Sequence, residues 1–410
     1  VAASVALAIA IPSIASAAPV VSQANGRLVT TTLLTQGSLD SVVSLKGATA
    51  TNTDGSPSVT SDVPLDATAI SALTVVAGTT DLFGGNGIIQ LGAVGQYAQA
   101  NGDGSSAAFS GAVTQAPSLI GVAVQPSSIG SPSAGSTAEI KLGSAGTDPV
   151  SIDVTLGALA ASAQETAAGV QTGQYNLADA GVTVGGTVLS PILASLRATL
   201  QTALGVASGV GVTIANPINA DGTLSISLAD LLAAAGVANL NLLPQGTDLL
   251  SFVPLAVVNK VTSIVNTLLG SLSAAGTTLG GAGGLAIAVA VGVAQGAVNL
   301  VLSGLASTLQ TPLGTAIAAL AQLQVNIKTN NSDGSFTQTA LRLGIGPSHS
   351  IASVDLADAT VGPNAGPAAV SIINPSSISI AGVLVLLAAG AWFAVTRIRR
   401  RGPSGPQAAI

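Results

Sequence analysis

Two periodicities divide this chain. From Arg27 to about Val184 apolar and polar positions alternate: "VSIDVTL" puts Val150, Ile152, Val154 and Leu156 on one face and Ser151, Asp153 and Thr155 on the other. That period of two belongs to a strand with one buried face. Clusters of turn residues at "TNTDGSP", "NGDGS" and "GSPSAGS" separate the runs, and many short strands joined by Gly/Ser turns predict a sandwich.

One segment can be read to the register. In "GAVGQYAQANGDGSSAAFSGAVT", residues 92–114, Gly102-Asp103-Gly104 fits a three-residue hairpin loop with Gly104 in the left-handed position. Tyr97 then pairs with Phe109, Gly95 with Gly111 and Ala93 with Val113. Both rings fall on one face beside a glycine pair, and a slip of one residue would separate them. The ring pair is expected to cover bare glycine backbone, so the motif reads as structural.

From about Val188 the period changes. "VLSPILASLRATLQTAL" predicts a helix with Pro191 in its first turn. In "PLAVVNKVTSIVNTLLGSL", Val257, Val261, Ile264 and Leu268 form an apolar stripe opposite Asn259, Ser263 and Asn266. A Gly-rich "GTTLGGAGG" suggests a short flexible turn, followed by a second helix over Leu285–Gln310 with Asn299, Ser303, Ser307 and Gln310 at helical spacing. Leu285 to Leu302 is apolar enough to resemble a membrane span, but Gln295, Asn299 and the lack of a basic flank favour a packed helix. Strands return at Val325, with "VNIKTN", the turn "NNSDG" and "SFTQTALRLGI". "NLADAGVTVGG" (176–186) and "DLADATVGP" (355–363) echo each other and read as related strand edges of one domain.

The expected architecture is α+β: a β-rich, sandwich-like domain over 18–186, a long helical insertion over 187–324, and completing strands over 325–362. The chain ends extend this picture. "VAASVALAIAIPSIASAAPV" is an apolar run ending in Ala15-Ser16-Ala17, the small-x-small pattern that a signal peptidase cleaves after; a buried core strand is the alternative. Residues 1–17 are thus expected to be a signal peptide truncated at its start. A Pro/Gly linker (363–377) leads to one C-terminal transmembrane helix, 378–396. Its apolar stretch from Ile378 through Leu384 and Leu387 has Trp392 near one end, long enough to cross a hydrocarbon core. Arg397, Arg399, Arg400 and Arg401 follow in a basic tail (397–410), the expected cytoplasmic stop.

Composition sharpens this. The chain is 48% hydrophobic and 7% charged, which disfavours disorder. With no Cys to form disulfides, a large aliphatic core must supply stability. Outside the basic tail, seven Lys/Arg face 17 acids, so the domain repels nucleic acid, and none is expected as a partner. The expected partners are the lipid bilayer, through the C-terminal helix, and a cell-envelope component or a further copy of the chain.

The hairpin segment, the N-terminal "AAPVVSQANGRLVTTTLL" and "LDSVVSLKGATA" resemble the choice-of-anchor G proteins of actinobacterial cell surfaces. The resemblance implies an exported protein fixed to a Gram-positive envelope by a variable C-terminal anchor, and it carries no enzymatic activity with it. Where the wall-sorted version has Leu-Pro-x-Thr-Gly, this chain reads "IINPSSISI", which favours a retained membrane helix over covalent attachment.

Candidate chemistry is sparse. His349, the only histidine, lies in "GPSHS" with Asp355 nearby, but a triad is defined by geometry and not by nearness in sequence. Asn52/Asp54, Asn101/Asp103 and Asn331/Asp333 have the look of calcium loops without the full oxygen ladder, and plain turns account for them. A glycosidase needs only two carboxylates, yet aromatic platforms are few. No catalytic, cofactor or metal residue is therefore assigned, and no enzyme activity is expected. The leading expectation is a membrane-anchored surface protein with a structural or adhesive role. The alternative is a membrane-active or pore-lining protein working through the helical hairpin 253–310, with a secreted hydrolase third.

Overall fold

The alternating stretches pair as antiparallel sheets, and the 3.6-period stretches fold as helices between them, giving a β-rich mixed fold. The computed structural model describes residues 20–32, 46–65, 76–77, 80–81, 89–90, 93–113, 138–144, 146–178, 180–216, 218–347 and 351–365. The expected signal peptide, transmembrane helix and basic tail lie outside these residues, as does all but the start of the linker.

The first sheet runs from edge to edge as β15 (Thr247–Asp248), β16 (Ala321–Asn330), β17 (Phe336–Ile345), β18 (Ala352–Val361), β1 (Ser22–Thr31) and β2 (Ala48–Asn52). The second is β12 (Gln171–Ala178), β11 (Ala158–Glu165), β8 (Ser106–Val113), β7 (Ala93–Ala100) and β3 (Val59–Leu65). These two pack face to face, β1 and β18 over β7, β8 and β11. The third is β14 (Leu224–Ser227), β13 (Gly181–Gly185), β10 (Ser151–Leu156), β9 (Ala138–Leu142) and β6 (Ile89–Gln90), and a small ribbon pairs β4 (Val76–Ala77) with β5 (Thr80–Asp81). One long hairpin joins the second sheet to the third: β10 leads into β11 past Gly157, and β12 returns into β13. In β10 the expected alternation holds, with Ile152, Val154 and Leu156 buried.

Small residues bring the first two sheets close together. A Cβ on Gly26 would collide with the Phe109 carbonyl oxygen and lie 2.6 Å from that of Tyr97, so only glycine fits at this crossing. The ladder of the first sheet then steps over one aligned row, Leu28, Ala357, Ala340 and Asn326. Asn326 (φ 55°) and Ala357 (φ 59°) are left-handed there. Two fully buried glutamines supply what the ladder omits. Gln96 Oε1 accepts from the Leu28 N–H at 2.9 Å, and Gln338 Nε2 donates to the Thr339 carbonyl at 3.1 Å and to Asn326 Oδ1 at 3.3 Å.

Helices α1 (Ser190–Gly209), α2 (Leu228–Ala234), α3 (Val253–Leu279) and α4 (Gly281–Leu320) all fall between β13 and β16. Strands β14 and β15 fall there too, so 187–324 is not purely helical. Pro191 begins α1 as expected. On α3, Val257, Val261 and Leu268 are buried and Ile264 is half-buried, while Asn259, Ser263 and Asn266 are exposed.

One expectation is narrowed and another corrected. The short turn expected at "GTTLGGAGG" is one residue: helix runs through Leu279 and resumes at Gly281, and Gly280 alone makes the turn. The glycines that end the stretch serve contact instead, since a Cβ on Gly284 would collide with the Gly276 carbonyl oxygen across the two helices. The "LADA" echoes are not both edges. Residues 355–363 include most of β18, an interior strand, because β1 and β17 pair on either side of it.

Candidate binding cleft and its surroundings

The hairpin adopts the register its turn dictates: Tyr97 opposite Phe109, Gly95 opposite Gly111, Ala93 opposite Val113. The Asn101 N–H donates to the Ser105 carbonyl at 2.9 Å, enclosing Gly102, Asp103 and Gly104, and Gly104 has φ 88°. Phe109 is fully buried, and its ring end lies 2.9 Å from where a Gly111 Cβ would be. Tyr97 is half-buried, its hydroxyl donating to Gln99 Oε1 at 2.9 Å.

Asn-x-Asp-Gly-Ser/Thr turns recur at Asn52, Asn101, Asn219 and Asn331, the third not singled out from the sequence. In each, the aspartate accepts from the backbone N–H two residues on. At Asp103 and Asp333 a serine hydroxyl adds a second hydrogen bond, as the Thr223 hydroxyl does at Asp221. These hydroxyl and backbone bonds hold Asp54, Asp103, Asp221 and Asp333 below the ordinary carboxylate range. The turns use these oxygens as their own acceptors. Among the described residues no group of three or more His, Cys, Asp or Glu is placed to hold a metal.

Three of the turns gather where the chain enters and leaves the sandwich. Ser22 Oγ donates to the Asn101 carbonyl at 2.6 Å, and Asn364 Nδ2 to Ser106 Oγ at 2.8 Å. Gln171 Nε2 donates to the Gly334 carbonyl at 2.9 Å, and Gly102 packs against the Gly55–Ser56 backbone. The segments that lead into β1 and out of β18 touch: the Ala365 N–H donates to the Val20 carbonyl at 3.3 Å, and the Gln23 N–H to Asn364 Oδ1 at 2.9 Å.

A cleft of about 610 Å³ opens between the edge strand β12 and strand β16, lined by Gly173, Gln174, Tyr175, Asn176, Asn239, Leu240, Asn326 and Lys328. Tyr175 secures its roof by donating to the Leu240 carbonyl at 2.7 Å, and burial pushes its phenol up to about 12, so it stays a neutral donor. Gly173 forms the floor: a Cβ there would fall 2.5 Å from Gln338 Oε1 and 2.8 Å from the Phe336 ring. Gln338 orients Asn326 from below, and its own Oε1 has no partner among the described residues. Amides and a phenol both donate and accept, so the cleft suits a ligand rich in hydroxyls. Sequence reading missed it because its residues come from three distant segments.

Two carboxylates of β18 are engaged elsewhere. Arg342 holds Asp355 through Nε at 2.5 Å and Nη2 at 2.7 Å, and Asp358 accepts from the Thr30 and Thr339 hydroxyls at 2.6 and 2.5 Å. Burial first, then Asp355, push Asp358 up to about 6. His349, the cleavage residues Ala15 and Ala17, and the anchor residues Ile378, Leu384, Leu387, Trp392, Arg397, Arg399, Arg400 and Arg401 lie outside the described residues.

Two helical stretches, Leu249–Leu279 and Gly281–Asn299, are long and apolar enough to cross a membrane by length and composition. Within the second, Ile287, Val291, Ala294 and Val298 are buried, while Leu285, Val289 and Val293 remain 70%, 67% and 70% exposed.

A family model described as "Domain of unknown function (DUF8394)" matches residues 24–220 and 272–362. No curated protein and no solved structure matches the chain.

Proposed function

The chain belongs to the DUF8394 family, and we propose that it is an exported cell-surface protein, held in the plasma membrane by Ile378–Val395, with a structural or adhesive role in the envelope. The observation that carries this reading is the meeting of Val20 and Ala365 at one end of the sandwich. A leader and an anchor attached there leave the domain at a single point, and α4 enters β16 at Ala321, the opposite end of the sheet. The resemblance to choice-of-anchor G proteins points the same way. The break in the family match, 221–271, falls inside 187–324 and supports an insertion over 221–271 alone, since α1 and α4 are both matched. The cleft beside Tyr175 and Asn326 is the adhesive element of this reading, its partner a hydroxyl-rich envelope polymer.

Cell fractionation tests the anchoring. Detergent alone should extract the whole chain, truncation before Ile378 should release it into the medium, and Leu387→Arg should weaken retention severely, since a central charge opposes insertion by about 2.5–3.5 kcal/mol. A mature protein that lacks the tail by mass, and that needs wall digestion for release, would overturn it. The second reading is a membrane-active protein working through residues 253–310, which the exposed apolar residues of α4 favour. Leakage from lipid vesicles would single it out.

A further inference from the structure

The two helices of the hairpin treat solvent oppositely. The outward face of α3 carries Asn259, Ser263, Asn266, Thr267, Ser271 and Thr278, all exposed. That of α4 carries Leu285, Val289 and Val293, spaced four apart, with the exposed Ala288, Gly292 and Gly296 between and beyond them and the exposed, uncharged Gln295 and Asn299 along one flank. Beside this ridge lies a groove of about 340 Å³ between α1 and α4, walled by Thr202, Ala203, Val206, Val293, Ala294 and Ala297.

We infer that this face is the contact between two copies of the chain, α4 meeting α4 across a two-fold axis. Such a contact requires one patch to hold both the ridge and the hole it fills, and this patch holds both. It also requires that no charge meet its own copy. No Asp, Glu, Lys or Arg occurs between Lys260 and Lys328, and the one charge on α1, Arg197, is turned to the Ile218 carbonyl, so that cost is absent. The size fits a reversible dimer. Gly281–Asn299 runs roughly 28 Å, and with α1 alongside the patch is about 20 Å wide, so two copies cover on the order of 1,100 Å², the lower edge for a specific interface.

Lipid suits the face less well. Helices that lie on membranes flank their apolar face with basic side chains, and none occurs between Lys260 and Lys328; the small residues beside the ridge let a second backbone come close. The family match spans α1 and α4 while passing over α2 and most of α3, so the two walls of the groove belong to the shared part of the fold. This inference does not rest on the anchoring proposed above.

The absence of cysteine makes the test clean. Val289, central in the ridge, meets itself whether the two helices run parallel or antiparallel. Full-length Val289→Cys, oxidised mildly on the expressing cells, should give a disulfide-linked dimer; chain shed into the medium is oxidised in the same way, so failure to anchor and failure to pair are read separately. Ser263→Cys, on the polar face of α3, should stay monomeric. Adding Val293→Glu to Val289→Cys should cut the dimer at least tenfold, with circular dichroism unchanged because position 293 is exposed. A monomeric Val289→Cys overturns the proposal. So does equal cross-linking at Ser263→Cys, or a Val289→Cys monomer whose introduced thiol is shielded from a water-soluble maleimide only when phosphatidylcholine vesicles are added, which would assign the face to lipid.

Discussion

The interior between the first two sheets and the outer surface of α4 invert the usual placement of residues. Between the sheets, small and polar groups are sealed from water: Gln96, Ser110 and Gln338 are fully buried. On α4, large aliphatic groups stand in solvent. The sandwich gains specificity from groups that tolerate one arrangement only, because an amide or hydroxyl there must meet its partner or remain unpaired at a cost of roughly 1–3 kcal/mol. The helices gain stability from apolar contact that is non-directional and leaves a surplus on the surface. A polar interior therefore marks where the fold is defined, and an apolar exterior marks where it is unfinished.

If that contrast is right, the most damaging change is a small one between the sheets. Gly26→Val would drive side-chain carbons into two carbonyl oxygens of the backbone, which cannot retreat without separating the sheets. The cost should exceed about 4 kcal/mol, visible as loss of folded, soluble protein; a stable variant with an unchanged spectrum would show that the sheets are further apart than described. Next comes Phe109→Ala, expected to cost about 3–5 kcal/mol in denaturant unfolding because the ring is fully buried over Gly111. Its partner Tyr97 is only half-buried, so Tyr97→Ala should cost clearly less. Equal costs would mean that the pair acts as a unit and not as one buried ring with a neighbour.

The sequence made some of this legible. Register in the 92–114 hairpin followed from its turn, since Gly104 fixes the loop and the loop fixes every pair. The stripe on α3 followed from spacing. What stayed hidden depended on partners distant in sequence. Gln96 reads as an ordinary polar position, and only its contact with Leu28, in a strand of the opposing sheet, reveals it as an interior amide. The glycines of "GTTLGGAGG" read as a turn, because composition does not distinguish a glycine that bends the chain from one that admits a second helix. The cleft needed residues 173–176, 239–240 and 326–328 brought together, and no local pattern announces that.

A moderate effect should follow from the buried acid of β18. Asp358, normally near 3.8, is pushed up to about 6 by burial and by Asp355. The folded state thus holds a proton that the unfolded state has already released. Stability should fall as pH rises from about 4 to about 6 and change no further through this group above that. Asp358→Asn cannot ionise, so it should exceed the wild type by about 1–3 kcal/mol at pH 8, with the advantage vanishing toward pH 4. Urea unfolding of both proteins across that range reads the difference. A gap independent of pH would show the carboxylate ionised and supported by Arg342.

The smallest effect belongs to the outside of α4, where the contrast can be tested with one substitution of a large aliphatic residue. Leu285 is 70% exposed, so Leu285→Ser removes a side chain that water already surrounds in the monomer. Buried leucines lose about 2–5 kcal/mol on truncation because a cavity remains; here no cavity forms, and the change should stay within about 0.5 kcal/mol. Denaturant unfolding at low protein concentration measures this without a contribution from association. Repeated at high concentration, the same titration should show the wild type gaining stability that Leu285→Ser lacks, because anything that binds the folded state alone stabilises it by mass action. A loss of several kcal/mol at low concentration would instead place Leu285 in the core of the single chain, and the apolar exterior of α4 would cease to be an exterior.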